Sequence, residues 1–168
     1  NSCLFFVGLG SPWLHCKPEG PFVNFESFAF HPRIHAGIVD AGYTVPTPIQ
    51  TKAIPTILDG NELFGLAQTG TGKTAAFVLT ILQRLMNGPR GKLRALILSP
   101  TRELAEQTHV ATRNLGKHTG LRSMTLYGGV SQMPQIKGLQ AGTEIAVACP
   151  GRLLDLIGQR MVNLSGIQ

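Results

Sequence analysis

The chain has 168 residues, a formal charge of +6 and a pI near 9.7, with 43% hydrophobic and 14% charged residues. That balance excludes a disordered tail or a fibrous repeat, and the length suits about one domain with a single core. Excess positive charge favours a polyanionic partner without choosing between RNA, DNA and an anionic surface.

Three cysteines, Cys3, Cys16 and Cys149, are odd in number and have no paired spacing. They support neither a disulfide framework nor a zinc site and fit a reduced, cytoplasmic setting. No stretch approaches the ~18 uninterrupted apolar residues of a membrane span. The apolar run Cys3–Leu9 lacks a preceding basic residue, so no signal peptide is expected. The first residue is Asn, which suggests a piece of a longer reading frame.

Residues 1–24 show no period of 2 or 3.6 and read as an N-terminal extension or linker, with a turn at Lys17-Pro18-Glu19-Gly20-Pro21. Pro32 suits the first position of a helix carrying Ile34, Ile38 and Ala41 on one face, with His31 as a weak cap and Gly42 as its end. Thr47-Pro48-Ile49-Gln50 is a second helix start: Thr as N-cap, Pro at N1, and Gln at N3 to bond back to the cap. Pro55 is expected to interrupt that helix before Asp59-Gly60-Asn61.

The run Leu63-Phe64-Gly65-Leu66 then feeds Ala67-Gln68-Thr69-Gly70-Thr71-Gly72-Lys73-Thr74, and a nearly all-apolar helix follows over Ala75–Met86. A strand, a Gly-interrupted turn and a helix start aim backbone N–H groups and a helix dipole at one point, which suits a polyphosphate. Gly70 and Gly72 permit close approach, Lys73 can reach the β/γ-phosphates, and the Thr74 hydroxyl can ligate Mg²⁺. Ala67 stands where the general P-loop pattern has Gly. The plainer alternative is a Gly-rich turn beside a surface lysine.

Beyond Asn87-Gly88-Pro89, strand and helix alternate. Ala95–Leu98 reads as a parallel strand covered on both faces, and Leu104, Thr108, Ala111 and Leu115 keep helical spacing. Met124–Tyr127 reads as a strand ending at Gly128-Gly129, and Ile136 with Leu139 marks a short helix. Glu144–Ala148 is another strand, leading through Pro150-Gly151 to a helix over Leu153–Ile157. Such alternation argues a parallel sheet flanked by helices, with sites at the carboxyl ends of the strands.

From about Phe25 to the last residue, the chain resembles the DEAD-box ATP-dependent RNA helicases. Gly42-Tyr43-Thr44-Val45-Pro46-Thr47-Pro48-Ile49-Gln50 is similar to that family's Q motif, with Phe25 seventeen residues ahead of it. The P-loop, Pro100-Thr101-Arg102-Glu103-Leu104-Ala105, the Gly128-Gly129 doublet and Pro150-Gly151-Arg152 follow in the family's order. The resemblance implies an α/β fold: a three-layer RecA-like P-loop NTPase domain over residues 25–168, with a mostly parallel sheet, incomplete at the C-terminus.

It also implies residue roles. ATP and Mg²⁺ would be held by Gln68, Thr69, Gly70, Thr71, Gly72, Lys73 and Thr74, with Lys73 and Thr74 as the catalytic pair. Phe25 would stack on adenine, against the alternative of a core aromatic. Gln50 would select adenine, since its donor and acceptor match the N6/N7 edge; capping is its local alternative, and the two are compatible. Pro100, Thr101, Arg102, Gly128, Gly129, Pro150, Gly151 and Arg152 would grip the RNA backbone without reading sequence. Arg152 has a second option in Asp155, and Cys149 replaces the family's usual Thr.

The Asp-Glu-Ala-Asp tetrad, the Ser-Ala-Thr motif and a second RecA-like domain are not in this sequence. The expectation is a chain that binds ATP and RNA without useful turnover, part of a helicase that separates RNA strands. The P-loop strand and the strand ending at Ser99 are expected to have unpaired inner edges, leaving the chain marginally stable. A catalytically inactive nucleic-acid- or partner-binding fragment and a DNA-directed P-loop ATPase are the competing readings.

Overall fold

A computed structural model describes residues 2–7, 24–68 and 70–168. Two compact units form, Asn1–Arg84 with Asn114–Thr119, and Leu85–Arg113 with Gly120–Gln168. Of the proposed extension over residues 1–24, most therefore lies outside the described residues, as does Thr69.

In the first unit, local chemistry starts each helix. His31 Nδ1 accepts from the Arg33 amide at 3.1 Å and opens α1 (Pro32–Asp40), where proline sacrifices no intrahelical bond. Ile34 and Ile38 are buried as their spacing predicts, and Gly42, at φ +75°, ends the turn. Gly37 faces the Leu115 carbonyl so closely that a Cβ would overlap its oxygen.

The helix α2 (Pro48–Leu58) runs straight through Pro55, contrary to the expected interruption. Proline forfeits one bond, but Ala53, Ile54 and Ile57 are all buried, and their burial outweighs that loss.

The strand β2 (Leu63–Gln68) leads toward α3 (Lys73–Leu85). An unforeseen strand, β1 (Ser2–Val7), pairs antiparallel with it, setting Ser2 opposite Gln68 and Val7 opposite Leu63. Phe64 and Leu66 remain exposed. Asp40, at the end of α1, accepts from Lys117 Nζ at 2.8 Å and lies 2.9 Å from His118 Nε2.

The second unit is a parallel sheet in the order β3-β5-β4, with β3 at Ala95–Leu98, β4 at Ser123–Leu126 and β5 at Ile145–Ala148. Ala95 and Ser123 both align with Ile145, so the three strands end at one edge. Central β5 is buried throughout, whereas β3 has a neighbour on one side and leaves Leu98 60% exposed. The expected covering of β3 is therefore incomplete at Leu98, while Leu96 and Ile97, on opposite faces, are partly buried.

The crossover helices are α4 (Arg102–Leu115), α5 (Met133–Gln140) and α6 (Pro150–Gly158). On α4, Ala105, Thr112 and Leu115 are buried while Leu104 is 37% exposed. The inward stripe thus begins one residue later than Leu104, because neighbouring stripes share the same helical period. Leu126, Ile136, Ala146, Ala148, Leu153 and Leu156 form the core of the sheet and its helices.

Two buried charges organise the sheet's amino end. Glu144 accepts from the Gly91 amide at 3.2 Å and the Arg122 amide at 2.8 Å, so its carboxylate is satisfied by backbone. Arg94 donates to Leu85 O at 3.0 Å, to Gln168 Oε1 at 2.9 Å and to Asn87 O, capping carbonyls at the end of α3. Among the described residues no helix is long and apolar enough to cross a membrane.

Two stability predictions arise here. Gly37→Ala should cost about 1–3 kcal/mol in urea unfolding through overpacking against backbone, whereas Gly158→Ala, with open space around it, should be neutral or stabilising. Equal effects would contradict the assigned packing. Hydrogen bonds from Lys117 and His118, and the Lys117 charge, hold the Asp40 carboxyl below the ordinary carboxylate range. A depressed folded pKa stabilises above the unfolded value and is lost as pH falls through the folded one. Asp40→Asn should therefore lower stability near neutral pH, and a pH series of melts should show the difference from the parent shrinking as the pH falls through the lowered Asp40 range.

Candidate functional site

At the end of β2 the chain turns through Gly70, at φ +82°, and Gly72, at φ +89°, before α3 begins at Lys73. Both are left-handed conformations that favour glycine. Gly72 has a second constraint, since a Cβ there would lie 2.5 Å from Gln50 Nε2 and 3.0 Å from Thr47 Oγ1.

Those two side chains hold the turn from outside. Thr47 Oγ1 donates to Thr71 O at 2.8 Å, and Gln50 Nε2 donates to Gly72 O at 3.1 Å. Gln50 Oε1 accepts from the Thr47 amide at 2.9 Å, locking the amide group in one orientation. In a trans peptide the C=O and N–H point opposite ways. Turning the Thr71 and Gly72 carbonyls toward α2 therefore turns the Gly72 and Lys73 amides the other way, into the concave side of the loop.

On the loop itself, Gln68 O accepts from Thr71 Oγ1 at 2.9 Å and from Lys73 Nζ at 2.6 Å. The ammonium is thereby folded back over the turn, and Lys73 is buried. Thr74 lies in the first turn of α3, half-buried. Oriented amides, a helix N-terminus, an ammonium and a hydroxyl at one end form a donor set that fits a polyphosphate with its divalent ion.

Two upstream residues of the expected nucleotide site are buried. Gln50 is 0% exposed, its amide turned to backbone. Phe25 is 3% exposed in a short 3-10 helix, edge-on to Phe28 at 6.0 Å and Tyr43 at 5.9 Å, so the described conformation offers neither face to a base.

In the second unit, the remaining expected residues gather at the carboxyl ends of β3, β4 and β5. Thr101 Oγ1 accepts from the Leu104 amide at 3.3 Å and caps α4, beside exposed Pro100. Arg102 is exposed, with its guanidinium 4.6 Å from the ring centroid of Tyr127. After Tyr127 the turn passes through Gly128 and Gly129, the latter at φ +79°, with open space around both.

Carbonyls of this turn face inward. Gln135 Nε2 donates to Tyr127 O at 3.1 Å and to Ser131 O at 3.4 Å, and Arg152 Nη2 donates to Val130 O at 3.0 Å. Among the described residues no hydrogen bond reaches the amides of Gly128, Gly129 or Val130.

Pro150 and Gly151 open α6, and Cys149 stands at its N-cap without a side-chain cap bond. Burial, with a smaller contribution from the Glu103 charge, pushes the Cys149 thiol up. The Arg152 side chain is 11% exposed, its Nε 3.7 Å from Asp155 Oδ2, and its Nη1 has no partner. Asp155 is thus a loose neighbour that leaves donors of the guanidinium unspent.

Sequence reasoning placed Thr47 as a helix cap only and passed over Tyr127 and Gln135. Thr47 and Gln50 had a signal in their spacing before a P-loop; a lone Gln on an apolar helix face gave none for Gln135.

The DEAD/DEAH box helicase family model matches residues 47–168. The chain is 45% identical over 146 residues to the ATP-dependent RNA helicase RhlB of Xanthomonas oryzae, covering 83% of this chain and 25% of that protein. Among solved structures it resembles the RNA helicase Prp28 of Chaetomium thermophilum bound to ADP, at TM-score 0.81 and 36% identity, over 98% of this chain and 39% of that one. A DEAD box protein from Methanococcus jannaschii aligns at TM-score 0.77 and 34% identity, over 86% of this chain and 39% of that one. The α/β fold is accordingly RecA-like, and the chain spans well under half of each relative. By the match over residues 47–168, the chain belongs to the DEAD/DEAH box helicase family.

Proposed function

We propose that this chain binds Mg-ATP at the turn between β2 and α3 and the backbone of single-stranded RNA at the carboxyl edge of the β3-β5-β4 sheet, as part of an ATP-dependent RNA helicase. The observation that carries the reading is the pair of bonds from Thr47 and Gln50 to the Thr71 and Gly72 carbonyls, which points consecutive amides into the loop.

In this reading the amides of Gly70, Gly72 and Lys73 receive phosphate oxygens, Lys73 exchanges the Gln68 carbonyl for the β/γ-phosphates, and Thr74 holds Mg²⁺. The metal would neutralise charge on the transferring phosphoryl group. Gln50 keeps one N–H and one lone pair beyond its two bonds, and these are what it has for an adenine edge. Phe25 supports Tyr43 and the Q motif from the core.

Arg152, Arg102 and the amides of Gly128 and Gly129 engage phosphates, so binding is nearly independent of sequence. The chain's cysteine content supports a cytoplasmic setting.

Titration with a fluorescent ATP analogue tests the first site. Lys73→Ala should weaken binding about tenfold to a hundredfold, and Gln50→Ala should weaken it while eroding preference for ATP over GTP. Unchanged affinity in Lys73→Ala would sink the phosphate role. For the second site, Arg152→Ala should weaken single-stranded RNA binding and reduce the slope of log K against log salt by about 0.7. An unaltered slope would remove Arg152 from the phosphate contacts.

A further inference from the structure

We infer that Tyr127 is a positioning residue that holds the Arg102 guanidinium ready for the RNA backbone. This rests on the proposal that RNA binds at this edge. The Arg102 side chain is exposed and makes no hydrogen bond or ion pair among the described residues; its contact is the Tyr127 ring, 4.6 Å from Cζ to the centroid.

The choice of partner matters chemically. A carboxylate would orient Arg102 but would consume N–H groups and cancel its charge. A ring face attracts the cation through its quadrupole and uses no donor, so all five N–H groups and the full charge stay available to a phosphate.

The backbone that carries the ring is itself held in place. Tyr127 directly follows β4, and Gln135 Nε2 fixes its carbonyl at 3.1 Å. One residue later come the Gly128 and Gly129 amides. Tyr127 therefore couples the start of α4 to the glycine turn, setting the guanidinium and the amides in a constant relation. Preorganising a side chain of many rotamers lowers the entropy lost when RNA orders it.

The test is fluorescence anisotropy of the 168-residue chain with a labelled single-stranded oligouridylate across a salt series. Tyr127→Leu should raise Kd about three- to tenfold and keep the parent's salt slope, because the cation remains. Tyr127→Phe, which keeps the ring, should restore affinity to within about twofold of the parent. Arg102→Ala should lower both affinity and slope, and adding Tyr127→Leu to it should change nothing further.

An unchanged Kd in Tyr127→Leu, a slope reduced as far as in Arg102→Ala, or additive losses in the double variant would each overturn the inference. If Arg102→Ala binds like the parent, the RNA reading of this face fails as well; loss in Arg102→Ala with Tyr127→Leu intact overturns the positioning role alone. Should Tyr127→Leu misfold, as judged by lost affinity for the ATP analogue, the parent supplies an independent readout. Ring current from Tyr127 should shift the Arg102 Cδ protons upfield in its NMR spectrum, and unshifted resonances would overturn the contact.

Discussion

Two hydrogen bonds, from Thr47 and Gln50 to the carbonyls of Thr71 and Gly72, are the constraint on which the first unit depends. They explain why position 72 must be glycine twice over: its dihedral is left-handed, and any side chain would collide with Gln50. They explain why α2 must start where it does, since Pro48 sets Thr47 and Gln50 on the side of the helix that meets the turn. Burial of Ile54 and Ile57 then anchors the helix firmly enough to survive its internal proline. A loop that binds by its N–H groups needs something else to take its C=O groups, and α2 supplies it.

The same logic recurs in the second unit with different residues. Gln135 and Arg152 take the carbonyls of Tyr127, Val130 and Ser131, and the intervening amides are left outward. Because β3, β4 and β5 run parallel and in register, the loops after all three emerge on one edge. Parallel pairing therefore brings together Thr101, Gly129 and Arg152, which are far apart in sequence. Each loop supplies donors, and in the turn after β4 the Tyr127, Val130 and Ser131 carbonyls are held inward. Such a surface suits a polyanion's backbone, which offers oxygen acceptors at regular intervals, better than it suits base edges, which offer both donors and acceptors.

What was legible in the sequence was local. Helix starts at Pro32 and Pro48, the glycine turn after β2 and the bounds of β3 follow from residue types within a few positions, and the structure has them where expected. What was not legible depends on partners distant in the chain. Nothing in Ser2–Val7 names β2 as its neighbour. The inward stripe of α4 differs from the outward one by a single residue, a rotation that period alone does not settle. Pro55 carries a strong local signal that tertiary burial overrides. At the sites, the residues that bear donors were visible, whereas Gln135, which holds the Tyr127 and Ser131 carbonyls, had no pattern to mark it.

Cys149 is the departure from the family pattern that most nearly threatens this picture, and its electrostatics resolve it. A hydroxyl at the cap of α6 would add a donor for phosphate, which the thiol scarcely replaces. Yet the alternative hazard, a thiolate beside the Gly151 and Arg152 amides, does not arise. Burial and the Glu103 charge raise the thiol's pKa, so it stays protonated and neutral at physiological pH. Nor does it cap the helix, so it takes none of the first-turn amides for itself. The substitution subtracts one weak contact while leaving the positive end of α6 and the unspent Arg152 donor in place. An anion arriving there meets the same sign of potential it would meet with threonine.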